Sequence, residues 1–411
     1  MKLAYVTALF PCAPAEQFFE AEVRSIAQRM DILLIPTRPP SSELCYADLG
    51  AGVLALPLFD ARVAWLALRQ AFRTPRRAAA AFAQIAFGPS SLRARAVNLA
   101  AFPKALAVAH EVRRRGIDHV HAAWLTTPAT IAWVVNRVTG IPFSITAHQH
   151  DIFSANLLAP KVAAARFTRV ISERNRQKLI AQLPASSAER CVTLHLGVEV
   201  PPLPLPPPDR VPRILCAARL CEWKGHRYLL DALARLRDRG VVFRCDLAGD
   251  GELRAQVTAM VERFALGDRV RMLGNVPHAK IVRALARSDY DLFVLASTER
   301  EGEHEGIPVA AMEAMAAGVP VVSTTTGSLS ELVKPGEGIL VPQRDPAALA
   351  DAIATLLADP ELRQADGTRS RAHIEAAFET GVTTALLLEL IEAGDTAAAA
   401  QLRASTTTRA V

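Results

Sequence analysis

Two carboxylates lie at a short predicted helix, and together they could bind the hydroxyl groups of a sugar. Glu305 lies just before the helix and Glu313 lies on its second turn. Pro308 suits the first helical position, because its missing N–H would be unpaired there in any case. The start of a helix presents unpaired N–H groups and a positive dipole end, which stabilise an anion. The stretch 301–327 therefore predicts a site for a sugar that carries phosphate.

A pair of cations follows an earlier predicted strand, and a diphosphate is the anion that it fits. Arg219 and Lys224 come directly after the strand 213–218, and Gly225 allows close approach of the backbone. Arginine offers a planar fork of donors and lysine a point charge, and both complement phosphate. A solvated turn with two surface cations is the alternative. The carboxylates further along the chain favour the binding site.

Two more turns could lie against a nucleotide. Residues Gly249-Asp250-Gly251 follow one predicted strand, and Leu273-Gly274-Asn275-Val276-Pro277 end the next. Glycine is also common after strands for steric reasons alone, so both turns are equally compatible with plain strand exits.

In the first half of the chain, His148 follows a buried predicted strand, where it is well placed to meet a ligand. With His150 and Asp151 it could instead bind a metal, or Asp151 could cap a helix. A hydrolytic triad of Asp118, His148 and Ser172 is disfavoured, because no Gly-x-Ser-x-Gly elbow is present.

An Asp-x-Asp pair, Asp289 and Asp291, imitates a metal clamp. It precedes an apolar strand without a second ligand cluster, so a structural role is predicted for it. Cysteine-rich and histidine-rich metal spacing is absent from the sequence.

Alternating strands and helices must position these groups. Strands are predicted at 3–10, 32–35, 52–56, 117–122, 142–147, 167–172 and 191–195, and again at 213–218, 241–248, 269–273, 290–296, 319–324 and 338–342. This alternation predicts parallel sheets covered on both faces, with a ligand cleft at the carboxyl ends of the strands.

A proline-rich segment predicts the boundary between two domains. Residues 197–213 contain seven prolines, a density that no regular element survives. The predicted division is a first domain over 1–200, a linker over 201–213, a second domain over 214–377, and a helix with a polar tail over 378–411.

Charge is distributed unevenly along the 411 residues. Residues 1–200 contain 23 Lys and Arg against 13 Asp and Glu, a net charge of +10, whereas the remainder has 24 against 28, a net of −4. The predicted helical region 61–115 contains eleven basic residues and one acid. An anionic membrane surface and a plainly solvated helix face explain this pattern equally well, and nucleic acid is disfavoured.

The chain is predicted to be cytoplasmic, with possible peripheral contact at the inner membrane face. No apolar run approaches the ~20 residues of a spanning helix. The N-terminal run resembles a signal peptide, but Pro11 interrupts it and a first buried strand is preferred. The six cysteines form no Cys-x-x-Cys motif and are predicted to be buried, reduced thiols.

Taken together, the motifs resemble the group 1, family 4 retaining glycosyltransferases, and most closely their colanic-acid and exopolysaccharide branch. The matching residues are Arg219, Lys224-Gly225, Gly249-Asp250-Gly251, EGIPVAAMEAMAAGVPVV at 305–322 and Glu331-Leu332-Val333, with Phe10-Pro11, Glu16, Glu22, TAHQHDIF at 146–153, ISERN at 171–175 and HLGV at 195–198 typical of the branch. The resemblance implies the α/β GT-B fold, in which two Rossmann-like domains face each other and a C-terminal helix crosses back to the first. It implies neither a cofactor nor a metal site.

The resemblance also implies roles by position. Arg219 and Lys224 would neutralise the donor diphosphate, and Glu313 would hold the ribose. The remaining implied contacts are Glu305, Gly306, Ile307 and His148 on the donor sugar, Gly327 at the diphosphate turn, and Gly251, Leu253, Asn275, Val276 and Pro277 along the base. Four features depart from the family. Gln149 replaces a glycine, Pro308 removes one backbone donor, Gly327-Ser328 replaces a glycine pair, and the early acceptor-side loop carries acids and aromatics in place of a Gly-Gly.

The expected activity is transfer of a hexose from a nucleoside-diphosphate sugar to a lipid-linked or oligosaccharide acceptor, with retention, in exopolysaccharide or other cell-surface polysaccharide biosynthesis. A nucleotide-sugar epimerase of the same fold would use the same phosphate grip without an acceptor. The residues are also compatible with a glycosidase that uses Glu305 and Glu313 as an acid/base pair, or with a non-catalytic carbohydrate-binding protein.

Overall fold

The computed structural model describes residues 1–12, 16–39, 48–202, 210–300 and 305–393. The chain divides into two compact units, which we call the first unit (1–197 and 380–411) and the second unit (198–379). Most of the predicted proline-rich linker, at 203–209, and the predicted polar tail, at 394–411, lie outside the described residues.

The first unit is built on a seven-stranded parallel sheet in the order β3-β2-β1-β4-β5-β6-β7. Its strands are β1 (Lys2–Thr7), β2 (Asp31–Pro36), β3 (Gly52–Val53), β4 (His119–Ala122), β5 (Phe143–Ala147), β6 (Thr168–Val170) and β7 (Cys191–Thr193). The central strands read as near-continuous buried runs, as expected for a sheet covered on both faces. The strand order reverses between β1 and β4, which is the switch point of a Rossmann-like sheet.

Helices in the described part of the first unit cover this sheet: α1 (Phe19–Ala27), α2 (Ala61–Arg73), α3 (Pro75–Phe87), α4 (Leu92–Arg114), α5 (Thr127–Thr139), α6 (Gln149–Ile152), α7 (Leu158–Ala164), α8 (Glu173–Ile180) and α9 (Ala185–Ala188). The long helical region breaks at Pro75 and near Gly88, as its sequence predicts. Asp60 begins α2 by accepting hydrogen bonds from the N–H groups of Arg62 and Val63 at 2.8 and 3.3 Å.

The second unit repeats the architecture with a six-stranded parallel sheet in the order β10-β9-β8-β11-β12-β13. Its strands are β8 (Arg213–Ala217), β9 (Arg244–Ala248), β10 (Val270–Gly274), β11 (Leu292–Leu295), β12 (Val321–Thr324) and β13 (Gly338–Val341). Its helices are α10 (His226–Asp238), α11 (Arg254–Arg263), α12 (His278–Ala286), α13 (Val309–Ala316), α14 (Leu329–Leu332), α15 (Pro346–Ala358) and α16 (Pro360–Ala377).

A last helix, α17 (Thr380–Ala393), returns to the first unit. Leu387 and Ile391 are buried in one hydrophobic cluster with Phe19 and Val23 of α1. Arg166 donates to the carbonyl oxygen of Ile391 at 3.2 Å. The two Rossmann-like sheets and this returning helix confirm the predicted fold class.

Two further features of the described chain bear on the predictions. Five cysteines are buried and no disulfide joins them, while Cys45 lies outside the described residues. Among the described helices, none combines the length and the apolar content that a bilayer crossing requires.

Candidate functional site

The turn after β8 holds both predicted cations. Residues Glu222–Lys224 form one 3₁₀ turn, which ends at Gly225 with φ at +68°. A Cβ atom on Gly225 would lie 1.9 Å from the carbonyl oxygen of Ala296, so only glycine lets the turn pack against the loop after β11. The carbonyl oxygen of Trp223 also accepts a hydrogen bond from the N–H of Thr298 at 2.7 Å. Lys224 is thereby fixed at the carboxyl end of the central strands.

Lys224 and Glu305 meet in a buried ion pair. Lys224 Nζ lies 2.5 Å from Glu305 Oε1, and their side chains are 14% and 4% exposed. The hydroxyl group of Ser297 donates to the same carboxylate oxygen at 2.6 Å. The structure therefore brings together the cation predicted for the diphosphate and the acid predicted for the donor sugar.

The turn at Gly327 determines where Glu305 lies. Gly327 has φ at +58°, and a Cβ atom there would lie 1.8 Å from the carbonyl oxygen of Glu305. Ser328 donates its N–H to that carbonyl oxygen at 3.2 Å. Its own φ of −103° is open to any residue, which explains physically why serine can stand where the family has a second glycine.

Helix α13 begins one residue later than predicted. Pro308 is the N-cap, with φ −73° and ψ 120°, and Val309 is the first helical residue. The prediction that Pro308 occupies the first helical position was therefore wrong by one position, because its extended ψ lies outside the helical region. Of the sugar-side neighbours, Gly306 is half-buried and Ile307 is buried in the core beneath α13.

Glu313 has a partner that the sequence did not indicate. His278 Nε2 lies 2.5 Å from Glu313 Oε1, and the side chains are 38% and 9% exposed. His278 is the first residue of α12 and directly follows Asn275, Val276 and Pro277. The contact thus ties the predicted ribose-binding acid to the turn predicted to line the base. The sequence signal that could have identified His278 is its place directly after the turn 275–277, since no motif marks this histidine.

Arg219 stands apart from the buried pair. Its guanidinium is 71% exposed and lies 3.1 Å from the exposed carboxylate of Glu252. An exposed pair of this kind is weak, so the guanidinium can readily exchange its partner for a ligand.

The Gly249–Gly251 turn packs backbone against backbone on the chain around Arg219. A Cβ atom at Gly249 would lie 1.9 Å from the carbonyl oxygen of Ala218, and one at Gly251 would lie 2.4 Å from that of Leu220. Leu253 donates its N–H to Leu220 at 3.0 Å and packs its side chain on the core. Both glycines therefore have a steric reason to be glycine, whatever else the turn contacts.

The predicted residues of the second unit share one edge of its sheet. Adjacent strands β10, β9, β8 and β11 are followed by the segments that carry Asn275, Gly251, Arg219 and Glu305, respectively. Asn275 and Pro277 are exposed and Val276 is half-buried, so this part of the edge is accessible. The carboxyl edge of a parallel sheet is where such folds bind ligands.

Asp291 has a structural role in the second unit. Its carboxylate accepts hydrogen bonds from the backbone N–H of Arg213 at 2.7 Å and from the guanidinium of Arg210 at 2.5 Å. Across the described ranges, the acidic, histidine and cysteine side chains form no group of three or more that could hold a metal ion.

His148 is embedded in the first unit at the end of β5. Its Nε2–H donates to the carbonyl oxygen of Ala123 at 3.1 Å, and its side chain accepts from the N–H of Asp151 in a capping box that begins α6. Burial lowers the pKa of His148 to about 3, which makes it a neutral imidazole at physiological pH. Both ring nitrogens are thus used by the fold, and a contact with the donor sugar stays a prediction.

Aromatic rings surround His148. Its ring lies 4.2 Å from that of Trp124 and 5.9 Å from those of Phe18 and Phe19, measured between centroids. Glu16 accepts the indole N–H of Trp124 and, through its other oxygen, the N–H groups of Leu9 and Phe10 at 2.6 Å.

The second early acid, Glu22, is also held within the first unit. Its carboxylate lies 2.5 Å from the fully buried guanidinium of Arg169 and accepts the hydroxyl group of Tyr5 at 2.6 Å. Glu16 and Glu22 therefore anchor the N-terminal loop and α1.

The second unit is a Rossmann-like domain whose parallel sheet carries cations and carboxylates at its carboxyl edge, which is the edge where such folds bind ligands. Residues 204–373, which span most of the second unit, match the family model of glycosyl transferases group 1.

Two curated relatives extend this result. WcaL of Escherichia coli (strain K12), named as a glycosyltransferase of colanic acid biosynthesis, is 36% identical over 212 residues, which cover 50% of this chain and 52% of WcaL. The amylovoran biosynthesis glycosyltransferase AmsK of Erwinia amylovora is 35% identical over 231 residues, 54% of this chain and 55% of AmsK. The chain thus spans about half the length of the curated relatives it matches.

Solved structures show the same fold over the whole chain. A glycosyltransferase from Rickettsia africae ESF-5 has a TM-score of 0.70 at 16% identity, with 96% of this chain and 98% of that chain covered. Anabaena Alr3699/HepE in complex with UDP-glucose has a TM-score of 0.69 at 18% identity, with 96% and 100% covered. These GT-B structures share the fold with this chain.

Proposed function

We propose that this protein is a retaining glycosyltransferase, which moves a hexose from a nucleoside-diphosphate sugar to a lipid-linked or oligosaccharide acceptor in exopolysaccharide or other cell-surface polysaccharide biosynthesis. The observation that carries the proposal is the buried Lys224–Glu305 pair at the carboxyl edge of the second sheet. The family match and the names of WcaL and AmsK support the polysaccharide setting.

When the donor binds, Lys224 exchanges its partner Glu305 for the diphosphate. A diphosphate carries more negative charge than one carboxylate, so it competes with Glu305 for the ammonium of Lys224. Glu305 is then available to accept hydroxyl groups of the donor sugar, while the Ser297 hydroxyl, 2.6 Å away, still fixes its orientation. Arg219, whose guanidinium pairs with the exposed acid Glu252, adds two parallel N–H donors to the same diphosphate.

The transfer step proceeds with loss of the diphosphate. The bond between the anomeric carbon and the diphosphate oxygen breaks, and both electrons leave with the phosphate. The acceptor hydroxyl attacks from the same face, and its proton passes to the departing phosphate oxygen. Lys224 and Arg219 stabilise the developing negative charge, an effect worth ~3 to 4 kcal/mol for a well-placed donor.

The two glutamates are poorly arranged for a glycosidase. Glu305 is paired with Lys224 and Ser297, and Glu313 contacts His278 on a different helix. An acid/base pair requires two carboxyl groups that both reach the scissile bond. Their separate partners favour separate roles, one on the donor sugar and one on the ribose.

The proposal is tested by offering UDP-, GDP- and ADP-sugars with a lipid-linked oligosaccharide acceptor and following the acceptor by mass spectrometry. We expect one donor to add a single hexose, and NMR of the product to show the anomeric configuration of the donor. Epimerisation of a donor without acceptor would identify an epimerase instead. Hydrolysis of simple glycosides without nucleotide would identify a glycosidase.

A further inference from the structure

Helix α2 has two apolar faces, and the described part of the chain covers one of them. Val63, Leu66 and Ala67 are buried in the core of the first unit. Trp65, Leu68 and Phe72 point the other way and are 54%, 57% and 82% exposed. Because these three positions are spaced i, i+3 and i+7, they form one stripe, which we call the α2 outer face.

The α2 outer face belongs to a wider concentration of exposed apolar side chains. Twelve large hydrophobic residues are exposed among the described residues, and eight of them lie between positions 59 and 97. The other five in this interval are Phe59, Phe82, Phe87, Leu92 and Val97. Single exposed apolar residues are ordinary, but a concentration marks an interaction surface.

Positive charge accompanies this surface. No acidic residue occurs between Asp60 and Glu111, and that interval contains eight basic residues. Arg62, Arg69 and Arg73 are exposed on α2 beside the outer face. The guanidinium of Arg69 lies 4.4 Å from the centroid of the Trp65 ring. An aromatic and aliphatic stripe bordered by arginine is typical of a helix that lies in a membrane interface.

We propose that the α2 outer face binds the surface of an anionic phospholipid bilayer, with Trp65, Leu68 and Phe72 inserted among the acyl chains and the arginines on the headgroups. A second copy of the chain would bring two sets of exposed arginines together, which charge repulsion opposes. Nucleic acid would pair with the arginines but would leave Leu68 and Phe72 without an apolar partner. This binding needs no sugar nucleotide, so it stands or fails independently of the transfer activity.

The test is sedimentation of the full chain with vesicles of phosphatidylcholine alone and with vesicles in which about one third of the lipid is phosphatidylglycerol. We expect binding to the anionic vesicles only. The triple variant Trp65→Ser, Leu68→Ser, Phe72→Ser should reduce the partition coefficient about tenfold or more, because it removes the inserted apolar area. The variant Arg62→Gln, Arg69→Gln, Arg73→Gln should reduce it by a similar factor.

Matched controls separate this effect from misfolding. Val211→Ser with Val242→Ser removes two exposed apolar side chains of the second unit and should leave vesicle binding unchanged. All variants should retain the far-ultraviolet dichroism and melting temperature of the wild type, because the replaced side chains are exposed. Trp65 fluorescence should shift to the blue with anionic vesicles, and this shift should vanish in Trp65→Phe.

Three results would overturn the proposal. One is wild-type binding that does not distinguish anionic from neutral vesicles, or no binding at all. Another is undiminished binding by the triple apolar variant. The third is a concentration-dependent dimer, or a complex with duplex DNA, that the apolar variant abolishes while vesicle binding stays unchanged.

Discussion

Lys224 Nζ lies 2.5 Å from Glu305 Oε1, which joins two segments that are 81 residues apart in the sequence. Both side chains are largely shielded from water, so each charge depends on the other. Removing one member of a buried pair leaves an uncompensated charge, which typically costs about 3 to 5 kcal/mol. The pair therefore fixes the turn after β8 against the segment that leads into α13.

Arg219→Ala should reduce transfer about a hundredfold without altering stability. Its guanidinium is exposed and its partner, Glu252, is exposed too, so folding does not depend on it. The measurement is kcat/KM with the donor found in the screen, together with thermal unfolding. Arg287→Ala is the matched control, since Arg287 is 70% exposed and pairs with Asp289 at 3.6 Å. Equal activity of the two variants would remove Arg219 from the proposed diphosphate contact.

Gly327→Ala should abolish donor binding, whereas Gly240→Ala should not. Both glycines have positive φ, at +58° and +74°, so each alanine has a backbone cost of about 1 kcal/mol. A Cβ atom at Gly240 has no neighbour within 4 Å, but at Gly327 it would displace the carbonyl of Glu305. Donor affinity measured by calorimetry distinguishes the two. Normal affinity in Gly327→Ala would show that the turn does not position Glu305.

The His278–Glu313 contact should be visible as a preference for the ribose hydroxyl. If Glu313 holds the ribose, the wild type should bind the ribonucleotide donor about tenfold more tightly than its 2′-deoxy analogue. Glu313→Gln and His278→Ala should both shrink that ratio. His373→Ala is the matched control, because His373 contacts another acid of the second unit, Glu337, at 2.6 Å. If His278→Ala leaves the ratio of ribonucleotide to 2′-deoxy affinity unchanged, His278 does not position Glu313.

Acid should destabilise the first unit through its buried histidines. Burial lowers the pKa of His119 and of His121 from the ordinary 6.5 to about 3. Between those values the unfolded chain binds protons that the native chain does not, so stability falls as the pH drops from about 6.5 towards 3. Each histidine contributes a slope of about 1.4 kcal/mol per pH unit.

Chemical denaturation at several pH values tests this effect. His119→Gln should reduce the slope by about one proton, because it removes one buried imidazole. A slope that is identical in the wild type and His119→Gln would contradict the assignment.

Most of the fold could be predicted from the sequence because local signals agree with it. Apolar runs mark the buried parallel strands, and Pro75 and Gly88 mark the breaks among α2, α3 and α4. Element ends were less predictable, as Pro308 shows, because cap geometry depends on one ψ angle. The sequence also could not show which of the two apolar stripes of α2 is buried, because periodicity alone does not distinguish a covered stripe from an exposed one.

Residue types at the carboxyl edge were predictable, but their partners were not. Gly225 and Gly327 are recognisable in the sequence because the turns at these positions require glycine. The adjacent cation Lys224 is recognisable from its place beside Gly225. The hydroxyl of Ser297 and the ring of His278 carry no motif and become evident only when distant segments meet. Likewise, the sequence places His148 at a strand end but does not show that both ring nitrogens are bonded within the first unit.

The most direct test of the account is the change in melting temperature that a nucleoside-diphosphate sugar produces in the wild type and in Lys224→Met. Because Lys224→Met leaves Glu305 without its cation, the double variant Lys224→Met, Glu305→Gln is measured as well to keep the fold intact. Lys334→Met is the matched lysine control, since the Lys334 ammonium donates to the carbonyl oxygen of Ser330 away from the pair. We expect that one donor, at about 100 times its Kd, stabilises the wild type and Lys334→Met by about 2.7 kcal/mol and leaves the melting temperatures of both Lys224 variants unchanged. A shift of equal size in the Lys224 variants, or no shift of the wild type with any UDP-, GDP- or ADP-sugar, would contradict it.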